Sequence, residues 1–144
     1  MKPTSQSALL RLHTFLLGGD CIYVEFERGE KYSNNTADIS DSHEHFRDAG
    51  WLLTSDDLVI DIDNLPKDTI RKIISVFGIS TQTVWTDRGV HFYFKKPKSF
   101  SRGAKRVCAL GFEIELKHAK NTKAVTIKRD GKLREIENQG VRED

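Results

Sequence analysis

The 144-residue sequence is poor in the features that build zinc sites, disulfide scaffolds and membrane spans. It has only two cysteines, Cys21 and Cys108, which are too few for a four-cysteine zinc site and are expected to be buried thiols. No apolar run approaches the ~20 residues of a membrane-spanning helix, and the first helix-like stretch contains Arg11 and His13. We therefore expect a cytoplasmic protein without a membrane partner.

Charge is unevenly distributed along the chain. Residues 1–57 contain five basic and ten acidic residues, whereas residues 88–134 contain fourteen basic and three acidic ones. A basic half of this strength favours a polyanionic partner, either nucleic acid or a nucleoside triphosphate. A solvated charged surface would explain the same counts. However, two of the three acidic residues, Glu113 and Glu115, fall together on one predicted strand.

Hydrophobic periodicity predicts an α+β fold with a mainly antiparallel sheet, because strands outnumber helices and most are joined by short turns. Helices are predicted at residues 5–17, at residues 41–49 and directly after Pro66. The predicted strands are Cys21–Glu27, Trp51–Leu53, Leu58–Asp63, Gln82–Trp85, Val90–Lys95, Leu110–Leu116 and Lys123–Lys128.

Three of these strands carry side chains suited to metal and phosphate chemistry. Because side chains alternate along a strand, Asp61 and Asp63 share one face, His91 lies on the next strand but one, and Glu113 and Glu115 share a face further on. If the strands are neighbours, these groups meet on one sheet surface. Hard oxygen ligands favour Mg²⁺ or Mn²⁺, and such a cluster beside basic residues suits two-metal phosphoryl or nucleotidyl transfer. Each pattern alone is common, so the prediction depends on their combination.

The order of the motifs resembles the archaeo-eukaryotic primase superfamily, in particular the primase–polymerase domains of phages, plasmids and mobile elements. The resemblance lies in Leu58–Asp63 (LVIDID), Thr86–Phe94 (TDRGVHFYF) and Gly111–Glu115 (GFEIE), and it covers roughly residues 50–128. Those domains have a DxD or DxE strand, a histidine strand after a small-residue turn, and a third acidic strand. Here the turn contains Asp87 and Arg88 where the family often has small residues.

The resemblance implies a DNA primase or polymerase that makes or extends primers by template-directed nucleotidyl transfer. It implies that Asp61 and Asp63 are metal ligands, with Glu113 as the third ligand and Glu115 as the alternative. His91 is implied to act in catalysis by contacting the phosphates of the incoming nucleotide. Further contacts to the triphosphate are implied for three basic residues, Arg88, Lys123 and Lys128.

The resemblance also implies an architecture and a set of partners. An RNA-recognition-like catalytic sheet with flanking helices is expected at residues 51–136, facing a small N-terminal α/β unit at residues 1–50. Together they would form a single domain at residues 1–136, followed by a polar tail or linker at residues 137–144. The implied cofactors are two Mg²⁺ or Mn²⁺ ions. The implied partners are a DNA template and primer, nucleoside triphosphates, and a helicase domain or protein.

Two other functions stay open. The first is a metal-dependent nuclease of the PD-(D/E)xK type, in which Glu115-Leu-Lys117 supplies the ExK motif and Asp61 or Asp63 the upstream aspartate. That function leaves His91 without a role, and two strands and a helix separate the two motifs. The second is a non-catalytic nucleic-acid-binding module that uses only the basic half of the chain.

Overall fold

The computed structural model describes residues 23–32, 39–98, 106–107, 114–119 and 122–144. The helix predicted at residues 5–17, both cysteines and Glu113 lie outside these described residues. In chain order, the described elements are β1 (Tyr23–Glu25), β2 (Ile39–Ser40), β3 (Ala49–Leu52), β4 (Asp57–Ile62), α1 (Lys67–Phe77), β5 (Gln82–Trp85), β6 (Val90–Lys95), β7 (Arg106–Val107), β8 (Ile114–His118), β9 (Ala124–Arg129), β10 (Lys132–Leu133) and β11 (Ile136–Glu137).

The chain divides into two compact units, each with its own sheet. The first unit holds the described residues of Met1–Leu52 and Ala124–Leu133, and the second holds those of Leu53–Lys123 and Arg134–Asp144. The named strands pair antiparallel in both sheets. With one α-helix in the described part of the chain, the structure confirms the mainly antiparallel α+β class.

The first unit contains a five-stranded sheet in the order β10-β9-β3-β1-β2. Its buried apolar cluster is formed by Val24, Phe26 and Leu52. Asp130 and Gly131 both have positive φ, at 50° and 76°, and they connect β9 to β10 as the two-residue hairpin turn that an Asp-Gly pair favours.

The second unit contains a six-stranded sheet in the order β11-β5-β6-β4-β8-β7. The central strand β4 has the sequence DLVIDI and pairs with β6 on one side and β8 on the other. Strands β5 and β6 form a hairpin around the turn Thr86–Gly89, as the sequence predicts. This sheet therefore has the DxD strand close to its middle.

Helix α1 packs on one face of this sheet. It begins after Pro66 and ends at Gly78, which has φ 63° and donates its N–H to the carbonyl of Ile74, as the Pro and Gly signals predict. Ile70 on the helix packs with Ile62 and Phe92 on the sheet. Side chains alternate along β4 and β6, so the neighbours of Ile62 and Phe92 in sequence point to the opposite face. Within the described residues, no helix is long and apolar enough to cross a membrane.

The helix predicted at residues 41–49 is wrong. Residues 41–48 form turns and bends, and Ala49 begins β3. The hydroxyl of Ser40 accepts a hydrogen bond from the N–H of Ser42, and the hydroxyl of Ser42 accepts one from the N–H of Glu44. These local side-chain bonds satisfy the backbone without a helix, which is why serine is as typical of turns as of helix starts.

The boundaries of the sheets also differ from those predicted. Strand β9, expected in the catalytic sheet of residues 51–136, pairs with β3 in the first unit, where Val125 is opposite Trp51. Residues 137–144, expected as a tail or linker, lie along the sheet of the second unit. The carbonyl of Val141 accepts the N–H of Gln82, and the carbonyl of Glu143 accepts the N–H of Lys95. Backbone pairing therefore makes this segment part of the fold.

Candidate active site

The three strands that carry the DxD motif, His91 and Glu115 are neighbours in the sheet of the second unit. Strand β4 lies between β6 and β8. The register sets Asp61 opposite His91 on one side and opposite Glu115 on the other. Residues directly opposite each other on neighbouring strands point to the same face. All three side chains therefore share the face of the sheet that points away from α1.

Asp61 and His91 are in direct contact. The imidazole Nε2 lies 3.3 Å from Oδ1 of Asp61, and the side chains of His91 and Asp61 are 9% and 19% exposed. A carboxylate next to one ring nitrogen holds the ring in a fixed orientation and favours a proton on that nitrogen. Among the described residues, the other nitrogen, Nδ1, is buried without a hydrogen-bond partner.

Lys117 brings a cation to the same face. Its Nζ lies 3.6 Å from Oε1 of Glu115 and 3.8 Å from Oδ2 of Asp61. Charge-assisted hydrogen bonds are typically about 2.7–2.9 Å long, so the ammonium group sits near both carboxylates without bonding tightly to either. Alternation along β8 places Lys117 beside Glu115, with Leu116 on the other face.

Asp63 does not join this cluster. Strand β4 ends at Ile62, and Asn64 has a positive φ of 57°, so the alternation that would align Asp63 with Asp61 stops. Oδ1 of Asp63 accepts the N–H of Asn64, and Oδ2 lies 2.9 Å from Nη2 of Arg88. Both side chains of this ion pair are largely exposed. Two predicted site residues are thus brought together, but as an exposed ion pair at the end of the strand.

The turn Thr86–Gly89 is packed closely against the end of β4. A Cβ atom on Gly89 would lie 1.8 Å from the carbonyl oxygen of Ile62, so this position requires glycine. The N–H of Leu65 donates to the carbonyl of Arg88. A cavity of about 440 Å³ opens here between the turn and the start of α1, lined by Asn64, Leu65, Pro66, Lys67, Ile70, Trp85, Thr86, Asp87, Arg88 and Gly89.

Two further predicted site residues, Lys123 and Lys128, lie away from this cluster. Lys128 is a buried residue of β9 in the first unit, where its Nζ donates to the carbonyl of His43 and lies 3.2 Å from Nδ1 of the same residue. Lys123 is an exposed residue that precedes β9. Glu113 lies outside the described residues.

The donor groups suit a hard divalent cation only in part. The carboxylates of Asp61 and Glu115 are the oxygen ligands that Mg²⁺ and Mn²⁺ prefer. No set of three or more histidine, cysteine, aspartate or glutamate residues in the described part of the chain lies close enough together to hold a metal ion. The described residues therefore supply two candidate ligands, with the ammonium group of Lys117 beside them.

The same face continues into a buried polar network that the sequence did not identify. Tyr93, the next residue of β6 on this face, is fully buried, and burial raises the pKa of its phenol far above the usual value. The guanidinium group of Arg142 lies 5.0 Å from the centroid of the Tyr93 ring and pairs with Asp57 of β4. Alternation on β4 and β6 could have placed Asp57 and Tyr93 on this face. No local signal points to Arg142, because its contacts span more than 50 residues of sequence.

Lys117 is the site residue that our favoured functional prediction missed. The signal was present, since it follows Glu115 by two positions on a predicted strand.

The chain was compared with models of known protein families, with curated proteins and with solved structures, and none of the three comparisons gave a significant match.

Proposed function

We propose that the second unit is a divalent-metal-dependent nucleotidyltransferase that makes or extends primers on a DNA template. The observation that carries this proposal is the register of three strands, which sets Asp61 between His91 and Glu115. Acidic groups that hold a divalent cation, beside side chains that contact the phosphates, suit the transfer of a nucleotide from a triphosphate. Their occurrence on one face agrees with the primase–polymerase resemblance of the motifs.

Each residue of the cluster has a role in this proposal. Asp61 and Glu115 would hold the divalent cation, and Glu113 would complete its ligands. Bound Mg²⁺ or Mn²⁺ would activate the attacking 3′ oxygen and neutralise charge on the triphosphate. His91, whose ring is oriented by Asp61, would contact the phosphates of the incoming nucleotide.

The turn before β6 supplies a further phosphate contact in this proposal. Arg88 pairs with Asp63, and both side chains are largely exposed, so the guanidinium group of Arg88 is accessible to a triphosphate. We also propose that the antiparallel sheet, with α1 on one face, is an RNA-recognition-like catalytic sheet. A DNA template, a primer and a helicase domain or protein are the proposed macromolecular partners.

The test is primer extension with a labelled nucleotide and Mn²⁺. Asp61→Ala should lower the rate of primer extension by more than ~100-fold, because even the loss of a residue that only orients a metal ligand can cost that much. The matched control is Asp56→Ala, which removes an exposed aspartate from the turn before β4. DNA binding should survive in both variants. Extension by Asp61→Ala at the rate of the unmodified protein would refute the proposal.

One observation favours a second candidate, the metal-dependent nuclease. Lys117 lies within 4 Å of both Asp61 and Glu115, as an ExK lysine would if it stabilised charge during attack on a phosphodiester. This candidate predicts degradation of DNA without added nucleotides, and loss of that activity in Lys117→Ala. A protein that extends primers but leaves DNA intact under these conditions excludes the nuclease.

A further inference from the structure

The position of Lys117 needs an explanation that the proposed nucleotidyl transfer does not provide by itself. Two carboxylates directly opposite each other on neighbouring strands repel, and this destabilises the pair. The ammonium group of Lys117 is near an oxygen of each, at 3.8 Å and 3.6 Å, and so offsets the repulsion between Asp61 and Glu115. The three side chains together carry one net negative charge when ionised.

We propose that Lys117 competes with a divalent cation for the Asp61 and Glu115 carboxylates, so that the cation binds only by displacing the ammonium group. This inference rests on the proposed function and adds a residue that controls metal loading. A cation held by these oxygens at about 2.0–2.6 Å would lie close to an ammonium group less than 4 Å from the same atoms. Repulsion between a double and a single positive charge at that separation opposes binding.

The lysine side chain can move away when a cation binds. Lys117 is 23% exposed, and its flexible four-carbon stem allows the ammonium group to move toward solvent without a change in β8. Neither contact of the ammonium group is as short as a strong charge-assisted hydrogen bond. The competition is therefore reversible, and Lys117 sets the cation concentration at which the carboxylates are occupied.

The experiment measures Mn²⁺ affinity directly, without nucleotide or DNA, by electron paramagnetic resonance of the free ion. Lys117→Met removes the charge and keeps most of the side-chain length, whereas Lys117→Arg keeps the charge. Lys72→Met is the matched control, because it removes one lysine charge from the exposed surface of α1. We expect Lys117→Met to bind Mn²⁺ at least about tenfold more tightly than the unmodified protein. The other two variants should stay within about threefold.

A double variant and a stability measurement test whether the gain in Mn²⁺ affinity arises at Asp61 and Glu115. Asp61→Asn added to Lys117→Met should abolish the gain in affinity, because the cation then loses a ligand. Mn²⁺ should also raise the melting temperature of Lys117→Met more than that of the unmodified protein. The melting curve without Mn²⁺ shows whether the variant folds, and Lys117→Gln serves if the methionine variant does not.

The outcomes separate this inference from the proposed function. If Asp61→Asn weakens Mn²⁺ binding but Lys117→Met does not strengthen it, the competition is refuted and nucleotidyl transfer still stands. If Lys117→Met binds more tightly but primer extension does not depend on Asp61, the competition stands and the proposed function fails. If no variant binds Mn²⁺, both are overturned.

Discussion

The ion pair between Asp57 and Arg142 should anchor residues 138–144 to the sheet of the second unit. Nε of Arg142 donates to Oδ1 of Asp57 at 3.1 Å, and Nη1 donates to Oε1 of Gln82 at 3.0 Å. The side chains of Arg142 and Asp57 are only 16% and 9% exposed. Arg142→Ala removes these contacts and the stacking on Tyr93, and leaves the carboxylate of Asp57 buried with no guanidinium group beside it.

The size of the effect follows from that buried carboxylate. Removal of one partner from a buried ion pair costs about 3–5 kcal/mol, because the remaining charge is uncompensated. Asp57 keeps hydrogen bonds from the N–H and the hydroxyl of Thr54, which favours the lower end of the range. We expect Arg142→Ala to lower the free energy of unfolding by about 3 kcal/mol. Adding Asp57→Asn should restore about 1–2 kcal/mol of this loss.

Urea unfolding followed by tryptophan fluorescence can test this in the second unit alone. Trp85 belongs to the second unit and Trp51 to the first, so a Trp51→Phe background leaves one reporter. The control is Lys95→Ala, which breaks an exposed contact of 3.9 Å with Asp144 and should cost less than about 0.5 kcal/mol. If Arg142→Ala costs no more than this control, residues 138–144 are not anchored as described.

Two further predictions concern the packing of each unit. The N–H of Gly29 lowers the pKa of the buried Asp48 despite the opposing effect of burial, so Asp48→Asn should lower the free energy of unfolding at neutral pH by about 2 kcal/mol. Because the pKa of Asp48 is depressed in the native state, the difference in unfolding free energy between the variant and the unmodified protein should begin to shrink below about pH 5. It should vanish once the pH falls below the native pKa, and urea unfolding at a series of pH values measures this. Gly89→Ala should cost at least about 2 kcal/mol, because its Cβ would overlap the carbonyl oxygen of Ile62. Gly78→Ala, at positive φ with nothing within 4 Å of the new Cβ, should cost only about 1 kcal/mol. Thermal unfolding of the two alanine variants beside the unmodified protein measures both costs.

The elements that the sequence predicts well are those whose signals are local. Gln82–Trp85 and Val90–Lys95 have the predicted bounds, because alternation and a glycine-containing turn act within fourteen residues. Helix α1 begins after Pro66 and ends before Gly78 for similar reasons. The pairing of β9 with β3 could not be predicted, because the antiparallel partner is more than 70 residues away and sequence periodicity carries no information about the partner.

The candidate site shows the same division between local and non-local information. Alternation predicted which side of its own strand each of Asp61, His91 and Glu115 occupies, but not that β4 separates the other two strands. The expectation for Asp63 assumed that the strand continued to it. The backbone instead leaves the extended conformation at Asn64, with positive φ, and Asp63 pairs with Arg88. A short strand and one turn residue were enough to separate two aspartates that sequence alone places together.

The cluster around Asp61 is difficult to explain by stability alone. Val59 and Tyr93, its neighbours on the same face, are fully buried, so apolar side chains are readily accommodated there. Replacing partly buried ion pairs by apolar groups of similar volume is often neutral or stabilising. We therefore propose that these charged groups in the middle of a sheet serve binding or chemistry. Because His91 contacts Asp61 directly, and an ExK nuclease has no use for that histidine, nucleotidyl transfer accounts for more of the cluster than phosphodiester cleavage does.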